Sequence, residues 1–198
     1  MNNEALILHE QTVHTKTNFG FWLYVMTDCI LFASLFATYA ALRGNTADGP
    51  SGQTLFDLPY VLAETLVLLT SSFTCGLAIL ATNRQHKTQA ISWFAVTMVL
   101  GLSFLALEVN EFAHLAQIGA GWQRSGFLSA YFTLVGTHGL HIVVGLVWMT
   151  IMLYQLLQRG FTAGVRRRLS LLSIFWHFLD VIWIFIFSIV YLLGVLPS

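Results

Sequence analysis

Five apolar runs, each long enough to cross a bilayer as helix, constrain what this chain can become more than any other feature. A hydrocarbon core about 30 Å thick takes roughly 20 helical residues. The runs at about 19–42, 59–82, 91–118, 127–155 and 171–196 all reach that length. Strands of a membrane barrel would be shorter and strictly alternating, so the expected fold class is all-α: an integral membrane bundle of five transmembrane helices. Only 9 % of the residues are charged, against about a quarter in soluble domains, which fits lipid as the solvent. The links at 43–58, 83–90, 119–126 and 158–170 are short and polar, and none is long enough for a soluble domain. Residues 1–18 are expected to be a mobile cytoplasmic tail and residues 19–198 a single membrane domain. The tail lacks a basic n-region and a cleavage site, so the first run reads as a retained span.

Orientation follows from the cations. Lys16, Arg84, Lys87, Arg159, Arg166, Arg167 and Arg168 fall on one side, and only Arg43 and Arg124 on the other. This places the N-terminus in the cytoplasm and the C-terminus in the periplasm. The Arg166–Arg168 run is a topology signal that also offers contacts to anionic lipid headgroups. Trp22, Tyr24, Trp93, Tyr154 and Trp176 are expected to form an aromatic belt near the inner ends of the spans, while Trp183 lies deeper and packs between helices. Zero net charge gives no footing for a nucleic-acid partner. Cys29 and Cys75 both sit in apolar runs, outside any C-x-x-C spacing, and read as packing residues.

The ionisable residues inside the spans carry the functional information. Asp28, Glu64, Glu108, Glu111 and Asp180 lie there with His114, His138, His141 and His177, and no Lys or Arg joins them. Each costs at least a few kcal/mol at the bilayer centre, so such groups face the protein interior and find partners. Depth along the helices predicts two layers. Asp28, His138, His141, His177 and Asp180 form an inner cluster; Glu64, Glu108, Glu111 and His114 form an outer one. The i, i+3 pairs His138/His141, His177/Asp180, Glu108/Glu111 and Glu111/His114 each share a helix face. The small run Gly136-Thr137-His138-Gly139, with Gly145 beyond it, allows close helix approach.

Three readings fit these residues. One is a metal or haem site, which needs histidines converging from facing helices; two histidines adjacent on one helix suit it poorly. Another is a proton or ion path. The plainest is a satisfied network that fixes helix register and partner docking. No arginine counter-ion, broken helix or inverted repeat marks a transporter, although an independent proton- or ion-coupled transporter remains the alternative function.

The run Trp176-His177-Phe178-Leu179-Asp180-Val181-Ile182-Trp183 resembles the W-H-F-x-D-x-x-W signature of subunit III of haem–copper terminal oxidases. Gly136-Thr137-His138-Gly139-Leu140-His141 is similar to that family's G-x-H-G-L-H motif, Glu111-Phe112 to its E-Y/F pair, and Phe21–Asp28 to its opening helix. The resemblance runs from about Phe19 to Gly194. Five spans rather than seven point to the cytochrome o (bo-type) ubiquinol oxidase branch. The resemblance implies a non-catalytic subunit of a proton-pumping ubiquinol oxidase in a bacterial inner membrane. Haems and copper are then expected in subunit I, against which this chain packs directly, with subunits II and IV in the same complex and phospholipid in clefts between the helices. It implies no catalytic, cofactor or metal-binding residue in this chain. The family's carbodiimide-reactive carboxylate has two matches here, Asp57 in Asp57-Leu58-Pro59 and the deeper Glu64. A weaker expectation is that Glu64, Glu108 and Glu111 buffer protons leaving the pump.

Overall fold

In the computed structural model, which describes residues 3–47, 55 and 57–195, five long helices follow one another: α1 (Asn3–Leu42), α2 (Leu58–Asn83), α3 (Lys87–Gln117), α4 (Gly126–Arg159) and α5 (Ala163–Ile186). The last helix continues through a π-helical turn, Phe187–Leu192, into a final turn, Leu193–Val195. The described residues contain no strand. All five helices are long and apolar enough to span a membrane, as Lys16–Leu42, Leu58–Asn83, Lys87–Gln117, Gly126–Arg159 and Ala163–Val195. This is a multi-pass membrane protein.

Local signals set the helix ends. Ser125 Oγ accepts from the Leu128 N–H and caps α4, while Thr162 Oγ1 accepts from the Val165 N–H and caps α5. Gly160, at φ +64° and ψ −157°, closes α4 in an extended positive-φ conformation that glycine reaches without strain. Two boundaries differ from expectation. Helix α1 begins at Asn3, so most of the 1–18 segment expected as a mobile tail is helical; Glu4-Ala5-Leu6-Ile7-Leu8 opens it, and no Gly or Pro interrupts before Gly20. Helix α5 begins at Ala163 rather than about 171, so Arg166, Arg167 and Arg168 lie in its first two turns, not in a link. The Thr162 cap and the breaker-free run Val165–Leu169 carry the helix there.

Helices α2, α3, α4 and α5 close a ring, each packed on its neighbours, and α1 leans on the outside against α4 and α5. The buried stripes show why. On α2, Val61, Glu64, Thr65, Leu68, Ser71, Cys75 and Ala78 recur with helical spacing. On α1, among the residues whose side chains are described, the buried stripe is Val25, Asp28, Phe32 and Tyr39, enough for one peripheral seam. Short polar bonds tie the ring: Thr74 to Thr97 (2.8 Å), Tyr60 Oη donating to Leu107 O (2.9 Å), and Lys87 Nζ donating to Leu157 O (3.0 Å). Cys75 is buried against Ser173, and Cys29 is exposed on the outer side of α1.

Trp176 is the joint of the ring. It was expected in an interfacial belt but is fully buried, because α5 starts a further two turns upstream and brings this position into the packed interior. Its Nε1–H donates to Ser71 Oγ at 3.0 Å. A Cβ on Gly101 would fall 2.8 Å from Trp176 Cη2, and one on Gly145 would fall 2.9 Å from Trp176 Cζ3. The indole therefore occupies space that α3 and α4 leave open by having no side chain. Trp22, Tyr24, Trp93 and Tyr154 are exposed, and Trp183 is buried as expected.

Gly101→Ala and Gly145→Ala should each destabilise the chain by about 1–3 kcal/mol through overpacking. Gly76→Ala, which meets nothing within 4 Å, should be neutral or slightly stabilising. Unfolding of the purified chain in mixed mild and denaturing detergent measures this, and equal midpoints for all three variants would remove Trp176 as the joint.

Candidate intramembrane polar network

The residues expected in the inner layer divide into three groups. On the α1/α4 seam, His141 Nδ1–H donates to Thr137 O (2.7 Å), which turns Nε2 toward Asp28 Oδ2 at 3.6 Å. That distance is too long for a hydrogen bond, so the contact is an ion pair only when the imidazole is protonated. On the α2/α5 seam, His177 Nδ1 lies 2.6 Å from Ser72 Oγ and 3.8 Å from Asp180 Oδ2. Asp180 is buried, and neither of its oxygens has a hydrogen-bond partner.

His138 stands apart from both carboxylates' bonded contacts. It is fully buried, with no hydrogen bond at either ring nitrogen. Phe32 (6.4 Å), Phe104 (6.0 Å) and Trp183 (5.3 Å, 32° between planes) surround the ring, measured between centroids. Phe104 and Trp183 in turn meet edge to face at 4.6 Å, a favoured aromatic geometry. Trp183 Nε1–H donates to Thr65 Oγ1 at 3.0 Å.

The outer layer is a buried acidic patch without a cation beside it. Glu64 and Glu108 are buried, and Glu64 has Glu108 and Glu111 as its ionisable neighbours. Both Glu64 oxygens and Glu108 Oε2 have no hydrogen-bond partner. Glu111 is better held: Tyr191 Oη donates to its Oε2 at 3.0 Å, and Tyr191 also pairs with Tyr131 at 2.9 Å. Tyr191 lies on the π-helical turn, whose widened register is a frequent mark of functional segments. His114, in the last turn of α3, is exposed and has no hydrogen bond or ion pair to this patch among the described residues. Asp57 is exposed at the N-cap of α2, far out from the buried Glu64.

Glu108 reaches its position because α4 lacks a side chain opposite it. A Cβ on Gly139 would fall 2.5 Å from Glu108 Oε1. Glu108, Gly136 and Gly139 line a cleft of about 260 Å³ on the α3/α4 seam, walled by Leu105, Phe112, Leu140 and Val143. At the start of α5, Arg166 and Arg168 are exposed, and Arg168 Nη1 donates to Gln155 Oε1 at 3.1 Å. No three of the described His, Cys, Asp and Glu side chains converge as a metal site.

Sequence reasoning missed the hydroxyl partners: Thr65, Ser71, Ser72, Tyr131 and Tyr191. One signal was available. Tyr191 follows Asp180 by 11 residues, three helical turns, and so shares its inward face. Nothing in the sequence distinguishes Ser71 and Ser72 from the span's other hydroxyls, such as Thr65 and Thr70, which bond their own helix carbonyls. Tyr191→Phe should cost about 1–2 kcal/mol by removing the donor to Glu111. Combined with Tyr131→Phe it should be non-additive by about 0.5 kcal/mol or more, as measured by detergent unfolding of both single variants and the double variant.

Residues 1–195 match the family described as cytochrome c oxidase subunit III. The chain is similar to the cytochrome bo(3) ubiquinol oxidase subunit 3 of Pseudomonas aeruginosa, 57 % identical over 91 % of this chain and 87 % of the relative. The Pseudomonas putida protein of the same description is 58 % identical over the same shares. The quinol oxidase subunit 3 of Bacillus subtilis is 39 % identical over 98 % of this chain and 95 % of the relative. A five-helix membrane bundle, its buried polar groups placed on the seams between helices, and a family match over nearly the whole length agree: this chain belongs to the cytochrome c oxidase subunit III family.

Proposed function

We propose that this chain is the non-catalytic subunit III of a proton-pumping ubiquinol oxidase, a complex that reduces oxygen to water. The observation that carries this reading is the family match across residues 1–195, together with relatives described as subunit 3 of quinol oxidases. In this role the haems and copper belong to subunit I, and the chain contributes helix packing, lipid binding and endurance during turnover. Its direct neighbour is subunit I, with subunits II and IV completing the complex in the bacterial inner membrane. The independent-transporter alternative draws no support from relatives described as oxidase subunits.

The buried groups suit a bracing role. Asp28 with His141 joins α1 to α4, His177 and Asp180 with Ser72 join α5 to α2, and Tyr191 joins α5 to Glu111 on α3. Two further assignments belong to the same reading. The cytoplasmic placement of the N-terminus rests on the cation bias. The exposed Arg166 and Arg168, at the start of α5, then face the inner headgroup layer, and the α3/α4 cleft suits an acyl chain, being apolar except at Glu108.

An affinity tag on this chain, pulled from its native membrane in mild detergent, tests the reading. The expected product is a complex with a haem spectrum and quinol-dependent oxygen uptake; a colourless chain recovered alone overturns it. Cysteines placed singly in the 160–162 link and at residue 121, in a background with Cys29 and Cys75 replaced, test orientation. An impermeant thiol reagent added to intact spheroplasts should label residue 121 and leave the 160–162 link unlabelled.

A further inference from the structure

Most polar side chains exposed along these spans are satisfied within their own helix. Thr27, Ser34, Thr38, Thr70, Ser103, Thr133 and Ser188 each donate to a carbonyl three or four residues back. Such hydroxyls can face hydrocarbon at little cost. His177 is different. Its Nδ1 is hydrogen-bonded to Ser72 and lies 3.8 Å from Asp180 Oδ2, yet 44 % of its side-chain surface is exposed, and Nε2 has no hydrogen bond from the described residues.

Depth makes this exposure costly. His177 lies nine residues beyond Arg168, and Ser72 lies twelve residues before Arg84, the nearest cations along their helices. Those intervals correspond to about 13 and 18 Å of helical rise, inside a hydrocarbon core about 30 Å thick. No headgroup reaches there, and an acyl chain offers nothing for an imidazole nitrogen to bond. An ionisable side chain at such depth faces protein. The flanking surface has the form of a helix seat. His177, Val181 and Ile184 make one stripe on α5, the latter two exposed and apolar. Leu69, Ser72, Phe73 and Gly76 make the facing stripe on α2, and the space above Gly76 is open. A glycine there lets a neighbouring backbone come close.

We infer that the α2/α5 seam around His177 is the docking surface for a transmembrane helix of another oxidase subunit, one that presents a hydrogen-bonding side chain to His177 Nε2 within the membrane. The inference rests on the subunit reading above and deepens it by naming the face. The α3/α4 cleft, which has no comparable exposed nitrogen, is left to lipid.

The test places the photoreactive residue p-benzoylphenylalanine at Phe73 or at Val181 in the otherwise native chain, with all subunits present, and irradiates the membranes before purification. The expected result is a covalent product with another oxidase subunit from both positions. Products with lipid alone, or with a second copy of this chain, in a complex that still takes up oxygen with quinol, overturn the inference and leave the subunit reading intact. A chain recovered without a haem-bearing subunit overturns both. As a second measurement, His177→Leu should lower co-purification of the complex about three-fold, the scale of one interhelical hydrogen bond in a membrane, and His177→Gln should restore it. Equal recovery for the leucine and glutamine variants would also overturn the inference.

Discussion

One indole holds four helices together. Trp176 rises from α5, donates its only proton to Ser71 on α2, and lays its ring edges against the bare backbone of Gly101 on α3 and Gly145 on α4. Helices in lipid gain nothing from hiding apolar surface, since the solvent is equally apolar, so association depends on close packing and interhelical hydrogen bonds. Trp176 supplies both in one residue. With it in place, Phe175 can pack beside Gly145, and Trp183, two turns further on, can reach Thr65 and the Phe104 face.

Around that joint the polar residues serve different purposes according to how they are satisfied. Glu111 has a phenol donor and behaves as part of the scaffold. His138 has no polar partner and is packed as an aromatic ring among aromatic rings. Asp28 and His141 face each other at a distance that becomes favourable only with a charged imidazole. Glu64 is fully buried, and neither of its oxygens has a hydrogen-bond partner among the described residues. The acidic patch is thus graded, from a held carboxyl at Glu111 to an unheld one at Glu64.

Much of this was legible in the sequence, because hydrocarbon thickness leaves little freedom in span number. All five spans appear, with ends shifted by up to eight residues. The largest shift came from reading Arg166–Arg168 as a loop, when arginine is a good helix former and a threonine cap precedes the run. The same shift carries Trp176 from the interface into the interior, since its depth is set by where the helix starts. Spacing of three residues puts His177 and Asp180 on one helix face, but it carries no information about which side chains come from the opposite helix. That is why Ser72, Tyr131 and Tyr191 were missed, and why His138 and His114 were grouped with acids they do not bond. A histidine at membrane depth can be a ligand, a base or a packing ring, and only its neighbours across the seam decide.

The peripheral placement of α1 has a consequence for biosynthesis. Its packing partners are α4 and α5, the last two helices to be made, whereas α2 and α3 form a hairpin joined by only three residues. His141 follows Asp28 by 113 residues, about ten seconds of translation at 5–20 residues per second. During that interval the first helix must wait at the insertion machinery or in lipid with its carboxyl group unmet. The first helix therefore meets the main seam it packs on only after the α2/α3 hairpin and α4 have been made.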